Sequence, residues 1–399
     1  MNGKTLTPKE QIAGAQPIAR TVRIGIDAGP LLGSGGISEY VGPLVRTLIG
    51  IDAASQYQLL LRKGWATQAA IRELQALAPV TSILVPDRLL ASWWKRTGRP
   101  LPLYRHLWRG LDVFLATCLL APVLPGGKVV SIVYDLIPLR LPSLFPQRDA
   151  FREQILQLLR HSSTVLAISE HTKQDLVELL GEDPRRVIVA HPGQGRQMHP
   201  VPSNEYLRVV QRYRIHTPYI LYVGSLGPHK NVITLLRAYE IARLDGRITG
   251  QLVLVGSDRW GADSLRVLET LRVRKDVVLT GFAPAADLPA LYSGATCLVF
   301  PSLYEGFGLP VLESMACGTP VIASNRGALP EVVGEAGTLV DPLDADAFAK
   351  AICDLFNTPA RRAERSARAS AQAATFSWDR SAAKVMTVLH QTADTSASD

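Results

Sequence analysis

Two carboxylates, Glu305 and Glu313, stand with seven residues between them in the sequence EGFGLPVLE. The apolar run TCLVFP at 296–301 precedes them and predicts a strand. Glycines keep the intervening loop slim, and Pro310 suits the first position of a helix. The spacing therefore predicts Glu305 on a loop and Glu313 one turn into a helix, where the helix dipole favours ionisation. Carboxylates so placed can accept hydrogen bonds from vicinal hydroxyl pairs of a sugar, although two solvated surface glutamates would read the same way.

A second candidate site lies in YILYVGSLGPHKN, residues 219–231. An apolar strand runs into a Gly-Ser turn, and Lys230 opens the next helix. Free amides at a helix N-terminus, together with the lysine ammonium, suit a phosphate group. His229 would add charge if it were protonated. The loop is not a Walker A motif, since G-x-x-x-x-G-K-[ST] is absent, and an ordinary turn with a surface lysine remains the alternative.

A third candidate follows the strand predicted at 277–280. There the backbone at Gly281 could meet a flat nucleobase, and Phe282 could form one wall of its pocket. Most phenylalanines in such places belong to the core, so the alternative here is a packing role.

Strand-like apolar runs alternate with helical spacing through most of the chain, which predicts an α/β fold. The predicted strands are Val22–Asp27, Gln58–Leu61, Val113–Ala116, Val129–Val133, Thr164–Ile168, Tyr219–Val223, Gln251–Val255, Val277–Thr280, Cys297–Phe300 and Val321–Ala323. The predicted helices are Ser38–Leu48, Thr67–Leu77, Asp149–His161, Thr172–Leu180, Asn231–Arg243, Leu265–Leu271 and Trp378–Leu389.

The polar stretch near 195–217 divides this alternation into two doubly wound, Rossmann-like domains that face a central cleft. We predict a disordered leader at 1–20, a first domain at 21–195, a linker at 196–217 and a second domain at 218–375. A helix at 376–390 then either packs on the second domain or crosses back to the first, and a tail follows at 391–399. Ligands of such sheets bind beyond the carboxyl ends of the strands, so the loops after the strands are the candidate sites.

Composition excludes several classes of protein. Hydrophobic residues make up 47% of the 399 residues, but no run of 18 apolar residues occurs, so no membrane span is expected. The first twenty residues lack the apolar core of a secretory signal. Four scattered cysteines without a CxxC pair predict neither a metal site nor disulfides and fit a reducing cytoplasm. The sequence has no GxGxxG motif that follows a strand and is followed by an acidic residue about 20 positions on. The usual signature of an NAD-dependent dehydrogenase is therefore absent.

The net charge of +8 is uneven along the chain. Residues 1–200 hold 23 Lys and Arg against 15 Asp and Glu, whereas residues 201–399 hold 20 of each. Residues 88–109, RLLASWWKRTGRPLPLYRHLWR, interleave aromatic rings with cations and contain no acid. This pattern suits an anionic membrane surface, with a nucleic-acid patch or a basic helix rim as alternatives. The predicted surface residues are Trp93, Trp94, Lys95, Arg96, Arg99 and Trp108.

The motifs together resemble one protein family. EGFGLPVLE with the following SMACGTPVIASNRGALPEVVGEAG resembles the E-x7-E signature of family 4 glycosyltransferases, which are retaining enzymes of the GT-B fold. YVGSLGPHKN resembles their phosphate-binding loop. In the first half, GSGGISEYVGPLVRTL resembles their Gly-rich loop, and VVSIVYDLIPLRLPSLFP their strand and loop at the cleft. The resemblance spans roughly residues 22–390.

The resemblance implies roles for individual residues. Glu313 would bind the ribose hydroxyls of a nucleotide sugar, Glu305 the hydroxyls of its sugar, and Lys230 the diphosphate leaving group. The implied catalytic residues are Lys230, Glu305, Tyr134 and Asp135. The implied donor-binding residues are Gly35, Gly36, Gly224, Ser225, His229, Lys230, Phe282, Glu305, Gly306, Phe307, Gly308, Leu309 and Glu313. No metal ion or other cofactor is implied.

Two positions depart from the family pattern. Many members carry His-Asp where this chain has Tyr134-Asp135, and a tyrosine with an ordinary pKa of about 10 is a poor base at neutral pH. The leaving phosphate itself is then expected to take the acceptor proton. His229 stands where an arginine is common, so diphosphate binding is expected to be weaker or dependent on pH.

The sequences of the YDLIP and SLGPHKN segments are similar to those of bacterial mannosyltransferases that use GDP-mannose. We therefore expect a hexosyltransferase at the inner face of the cytoplasmic membrane, acting on a polyprenyl-diphosphate-linked glycan of an O-antigen or exopolysaccharide pathway. Nucleic acid is not an expected partner. The alternatives are a UDP-sugar-dependent transferase, a GT-B epimerase or phosphorylase, and a non-catalytic module that binds glycans or nucleotide sugars.

Overall fold

A computed structural model of the chain describes residues 21–33, 35–62, 67–83, 89, 92, 93, 96, 110–119, 128–195, 197–256 and 262–395. The leader predicted at 1–20 lies outside these residues. So do four residues of the predicted basic surface: Trp94, Lys95, Arg99 and Trp108.

The first domain is built on a parallel sheet. Its strands are β1 Arg23–Asp27, β2 Gln56–Arg62, β3 Val80–Ile83, β4 Val113–Ala116, β5 Val129–Val133, β6 Thr164–Ala167 and β7 Val187–Val189. They lie in the order β3-β2-β1-β4-β5-β6-β7. The helices described in this part of the chain are α1 Gly36–Ile51, α2 Gln68–Gln75, α3 Ile137–Arg140, α4 Arg148–His161 and α5 Glu170–Leu180.

The second domain repeats this plan. Helix α6, Ser203–Arg212, leads to the strands β8 Tyr219–Val223, β9 Gln251–Val255, β10 Val277–Gly281, β11 Cys297–Phe300, β12 Val321–Ser324 and β13 Thr338–Val340, in the parallel order β10-β9-β8-β11-β12-β13. The helices that follow α6 are α7 Val232–Leu244, α8 Ala262–Thr270, α9 Leu288–Ser293, α10 Leu309–Ala316, α11 Leu329–Val333, α12 Ala345–Asn357, α13 Pro359–Ala373 and α14 Trp378–Asp394.

Burial follows from this layered architecture. Strands β4 (VFLA) and β5 (VVSIV) are buried at every position, as expected for parallel strands covered by helices on both faces. Helix α1 buries one face through apolar residues three and four apart. In both sheets the strand order reverses beside the first strand, between β1 and β4 and between β8 and β11. These reversals are the switch points at which such sheets bind ligands.

The last helix, α14, returns to the first domain and packs on α1 and on strands β4 to β6. Nε2 of the buried His390 lies 3.1 Å from Oδ2 of Asp52 and 3.0 Å from Oγ of Ser55. In a catalytic triad the acid and the nucleophile meet opposite ring nitrogens, so this trio joins the helix to the domain instead. Burial acts to raise the pKa of Asp52, but hydrogen bonds from Tyr57, Ser55 and His390 outweigh it and lower the pKa.

The chain crosses between the domains twice, and the two crossings touch. The backbone N–H of Gln194 donates to the carbonyl of Phe376 at 3.3 Å. A Cβ on Gly193 would lie 2.1 Å from the backbone nitrogen of Trp378, so only glycine fits there. The two crossings therefore lie side by side in direct contact.

The predicted α/β fold of two parallel sheets is confirmed, and five predicted strands have the observed bounds. Three short strands, β3, β7 and β13, were not predicted. The segment predicted as a linker contains α6, which packs against α9 and buries Val210. The polar composition of that segment hid its single apolar face. Helix α14 also extends to Asp394, four residues into the predicted tail.

Candidate active site

Loops from both domains meet between the two sheets, each following the carboxyl end of a strand. The first domain contributes Gly35 after β1 and Tyr134 after β5. The second contributes Lys230 after β8 and Glu305 after β11. These four strands include both members of the second domain's switch point and one member of the first's. Residues far apart in the sequence thus converge at one cleft.

Lys230 and Glu305 form a buried ion pair at this cleft. The lysine Nζ lies 2.7 Å from Oε1 and 2.9 Å from Oε2 of the glutamate, whose exposed fraction is 7%. The same Nζ lies 5.5 Å above the ring of Phe300. Their loops are tied by the N–H of Leu303, which donates to the carbonyl of His229. The pair therefore places an ammonium and a carboxylate side by side at one point of the cleft.

Glu313 sits in the second turn of α10, as the spacing predicts, but its burial opposes the ionisation that the helix dipole favours. Burial raises the pKa of Glu313 to about 7, against the hydrogen bond that the Tyr292 hydroxyl donates to its Oε2 at 2.7 Å. Desolvation here outweighs the helix dipole. Glu39, in the first turn of α1, raises the pKa of Glu313 further from across the cleft. The carboxyl is thus poised to change its protonation near neutral pH.

The glycines of the EGFG segment are required by close packing. A Cβ on Gly306 would lie 2.2 Å from the carbonyl oxygen of Tyr134 and 2.8 Å from Cβ of Asp135. Gly308 has a φ of +102° at the start of α10, a conformation that favours glycine. Of the neighbouring predicted residues, Phe307 is buried and Leu309 is half-buried. The second domain therefore contacts the first domain directly at Gly306.

The Tyr134 hydroxyl points into the first domain, where it donates to the carbonyl of Thr117 at 2.8 Å. Burial raises its pKa well above 10, so it is no base at neutral pH. Oδ1 of Asp135 accepts from the N–H of Ile137 at 3.0 Å. Burial raises the pKa of Asp135, as does the charge of Glu305, while Lys230 lowers it. Of this dipeptide, only the aspartate is electrostatically coupled to the ion pair.

His229 does not carry the extra positive charge considered from the sequence. Burial and the neighbouring Lys230 both lower its pKa, so its ring is neutral at neutral pH. Gly35 and Gly36 border open space, which leaves room for a ligand beside them. Gly224 and Ser225 follow β8 in the same loop as Lys230.

Phe282 lies just beyond the edge strand β10 and is 79% exposed. A core role for this ring is therefore wrong, and a role against a nucleobase stays a prediction. Trp93 is 37% exposed and Arg96 is exposed, while the rest of the predicted basic surface lies outside the described residues.

Two residues of the cleft, Glu39 and Tyr292, were not predicted from the sequence. Glu39 follows the Gly-rich loop by one helical turn, and that position could have identified it. Burial raises its pKa, whereas Lys230 pulls it down. Tyr292, the partner of Glu313, carries no signal, because an isolated tyrosine in an apolar helix is typical of any core.

The described residues provide neither a metal site nor a membrane span. No group of three or more His, Cys, Asp or Glu among them is placed to hold a metal ion. Within the same part of the chain, no helix is long and apolar enough to span a bilayer.

Two parallel sheets with charged loops facing across a cleft define a GT-B architecture. Solved structures agree: HepE from Anabaena, in complex with UDP and glucose, has a TM-score of 0.71 at 18% identity and covers 93% of this chain and 100% of that one. Sucrose-phosphate synthase from Thermosynechococcus elongatus has a TM-score of 0.70 at 20% identity, covering 93% and 99%. At these identities the likeness shows the fold alone.

Sequence relatives give the family. Residues 217–358 match the family described as Glycosyl transferases group 1. O-antigen chain mannosyltransferase B of Escherichia coli is 34% identical over 256 residues, 63% of this chain and 67% of that protein. The serotype-specific mannosyltransferase WbdA of Escherichia coli is 31% identical over 259 residues, but the match spans only 32% of its length. D-inositol 3-phosphate glycosyltransferase of Corynebacterium glutamicum is 29% identical over 346 residues, covering 84% and 79%. The chain belongs to the group 1 glycosyltransferases and is an enzyme.

The shifted pKa of Glu313 predicts that nucleotide binding depends on pH. If the ionised carboxylate accepts hydrogen bonds from ribose hydroxyls, the Kd for a nucleoside diphosphate falls as pH rises from 6 to 8. We expect the Kd to fall about tenfold, because the ionised fraction of a carboxyl with a pKa of about 7 rises roughly tenfold between pH 6 and pH 8. Isothermal titration with GDP and with UDP measures it. Glu313→Gln should flatten the profile, while Glu335→Gln, at an exposed position, should keep it. An equal slope in all three proteins would contradict this role.

The buried ion pair predicts a specific pattern of stability. Lys230→Met leaves Glu305 as an unpaired buried carboxylate, which should lower the free energy of unfolding of the second domain by about 3–5 kcal/mol. Adding Glu305→Gln should recover most of that loss without restoring turnover. Urea unfolding measures the effect. The control Lys275→Met, at an exposed lysine of the same domain, should change it by less than about 0.5 kcal/mol. A double variant less stable than the single one would disprove the coupling.

Proposed function

We propose that this enzyme transfers mannose from GDP-mannose to a hydroxyl of a glycan acceptor with retention of configuration. The observation that carries the choice of sugar is the 34% identity to O-antigen chain mannosyltransferase B over 256 residues. The acceptor is proposed to be a polyprenyl-diphosphate-linked glycan of an O-antigen or exopolysaccharide pathway. GDP-mannose would lie along the cleft, with its ribose at Glu313, its diphosphate at Lys230 and its sugar at Glu305.

The chemical step needs little more than charge stabilisation. The acceptor oxygen bonds to the anomeric carbon on the face from which the diphosphate departs, and the bond from that carbon to the phosphate oxygen breaks. The departing phosphate takes the acceptor proton, and GDP and a mannoside are the products. The ammonium of Lys230 offsets the negative charge growing on the leaving group, and a closed, dry cleft strengthens that interaction. Tyr134 is not the base, because its buried hydroxyl already donates to Thr117.

The ion pair fits a change of partners on donor binding. In the structure, Lys230 directs its ammonium at both oxygens of Glu305. With donor present, the diphosphate would share that ammonium. At least one carboxylate oxygen of Glu305 would then be free to accept hydrogen bonds from the sugar hydroxyls. The family resemblance implies that Lys230 binds the diphosphate and Glu305 binds the sugar. Both roles are compatible with the ion pair that these residues form.

A second candidate is transfer to a phosphorylated polyol. The match to D-inositol 3-phosphate glycosyltransferase covers 84% of this chain, whereas the match to O-antigen chain mannosyltransferase B covers 63%. The first domain is where an acceptor is expected to bind. A UDP-sugar donor would belong to this alternative.

Donor choice is tested with a panel of nucleotide sugars. We expect GDP-mannose to raise the Tm and to support product formation, and UDP-glucose and UDP-N-acetylglucosamine to do neither. Glu313→Ala should remove the stabilisation by every nucleotide. Stabilisation by UDP-sugars but not by GDP-mannose would overturn the proposed donor. Transfer to D-inositol 3-phosphate but not to lipid-linked glycan would favour the second acceptor. The anomeric coupling in the NMR spectrum of the product reports retention.

The proposed acceptor requires docking on the inner leaflet of the cytoplasmic membrane. We expect co-sedimentation with anionic liposomes, made with phosphatidylglycerol, that weakens at least fivefold when Lys95, Arg96 and Arg99 become glutamine. A matched control changes Arg266, Arg272 and Lys275 on the second domain, which removes the same net charge. Equal weakening by both sets would mean that binding follows overall charge, and no weakening by the first set would refute the docking surface.

A further inference from the structure

Helix α5 of the first domain contacts the loop that carries Glu305 in the second. The hydroxyl of Tyr304 donates to Oδ2 of Asp175. The Oγ1 of Thr172 lies 3.4 Å from the carbonyl oxygen of Gly306. These contacts come from one face of a single helix, three residues apart. They bracket Glu305 on both sides in the sequence.

The same face is fixed to the rest of the interface. Thr172 also lies 3.3 Å from the carbonyl oxygen of Tyr134, against which Gly306 packs. At the N-terminus of α5, the amides of Glu170 and His171 donate to the carboxylate of Glu331 in the second domain, at 3.0 and 3.4 Å. The helix therefore sits against the second domain along its first two turns.

Asp175 is fully buried but does not depend on Tyr304 for its charge balance. Its Oδ1 accepts from Nε of Arg140 at 2.7 Å, within the first domain. Nη2 of the same guanidinium lies 2.5 Å from that oxygen. Loss of the tyrosine hydroxyl would leave the buried carboxylate with its cationic partner. The contact between Tyr304 and Asp175 thus links the domains without being the main support of the first domain.

We propose that α5 is a clamp that positions Glu305, and through it Lys230, only when the two domains are closed. Opening the cleft would break the contacts of Tyr304 and Thr172 and release the loop on both sides of Glu305. Tyr304, Thr172 and Asp175 are positioning residues, since their proposed effect on turnover acts through Glu305. This inference rests on the proposed roles of Lys230 and Glu305 in turnover, but the clamp itself can be tested without turnover.

The clamp predicts separate effects on turnover and on nucleotide binding. Tyr304→Phe and Thr172→Val should each lower kcat by about 10- to 100-fold, because misplacing a catalytic group by about 1 Å costs up to two orders of magnitude. The Kd for GDP should rise by much less than kcat falls, because Glu313 and Tyr292 hold the ribose within the second domain even when Lys230 is displaced. Thr172→Ser restores the hydroxyl and should restore kcat. Tyr213→Phe removes a matched bond, from hydroxyl to Asp287 at 2.6 Å within the second domain, and should leave kcat unchanged.

Hydrogen exchange provides the readout that needs no donor. Amides of the peptide around 303–309 should exchange faster in Tyr304→Phe and Thr172→Val than in the wild type, Thr172→Ser or Tyr213→Phe, at an unchanged Tm. Unchanged exchange in both variants would overturn the clamp whatever the donor proves to be. If the wild type does not use GDP-mannose but the exchange pattern holds, the donor assignment fails and the clamp stands. If kcat and the Kd for GDP worsen together as the Tm falls, the contacts are merely structural and the inference is wrong.

Discussion

The buried pairing of Lys230 with Glu305 is the interaction on which the cleft depends. An ammonium withdrawn from water is tolerable only beside an anion, and the carboxylate has the same need. Each residue lies at the end of a different strand of the same sheet, β8 and β11, and these strands are neighbours at the switch point. The Rossmann-like strand order is therefore what brings residues 75 positions apart to within 2.7 Å.

Close packing between the domains imposes a second constraint. Gly306 leaves no room for a side chain beside Tyr134, and the residues before and after it belong to the loop that shapes the site. The contact between the domains at Gly306 thus lies one residue from Glu305, a candidate catalytic residue. Because the contact is made by backbone and hydroxyl groups, small displacements of one domain move the site itself. Burial raises the pKa of three carboxyl groups of the cleft, those of Glu39, Glu313 and Asp135.

Much of this was predictable from the sequence, and the failures have physical causes. Buried strands such as Val113–Ala116 were found because parallel strands covered on both faces are continuously apolar. The strand Thr338–Val340 was missed because three residues at a sheet edge give too short a pattern. Glu305, Glu313 and Lys230 were identified by their motifs, but the ion pair was not, because pairing depends on strand order. The raised pKa of Glu313 could not be predicted, because the sequence shows the helix start and not the depth of burial.

The path of the chain has a consequence for the order of synthesis. Helix α14 completes the first domain, yet it comes after every element of the second domain. During translation, all strands of the second sheet therefore emerge from the ribosome before α14 does. Until α14 emerges, its packing surface on α1 and on strands β4 to β6 is uncovered. During translation the domain begun first is the one finished last. Until His390 emerges, Asp52 lacks one of its buried partners, and the face on which α14 packs is open to chaperones.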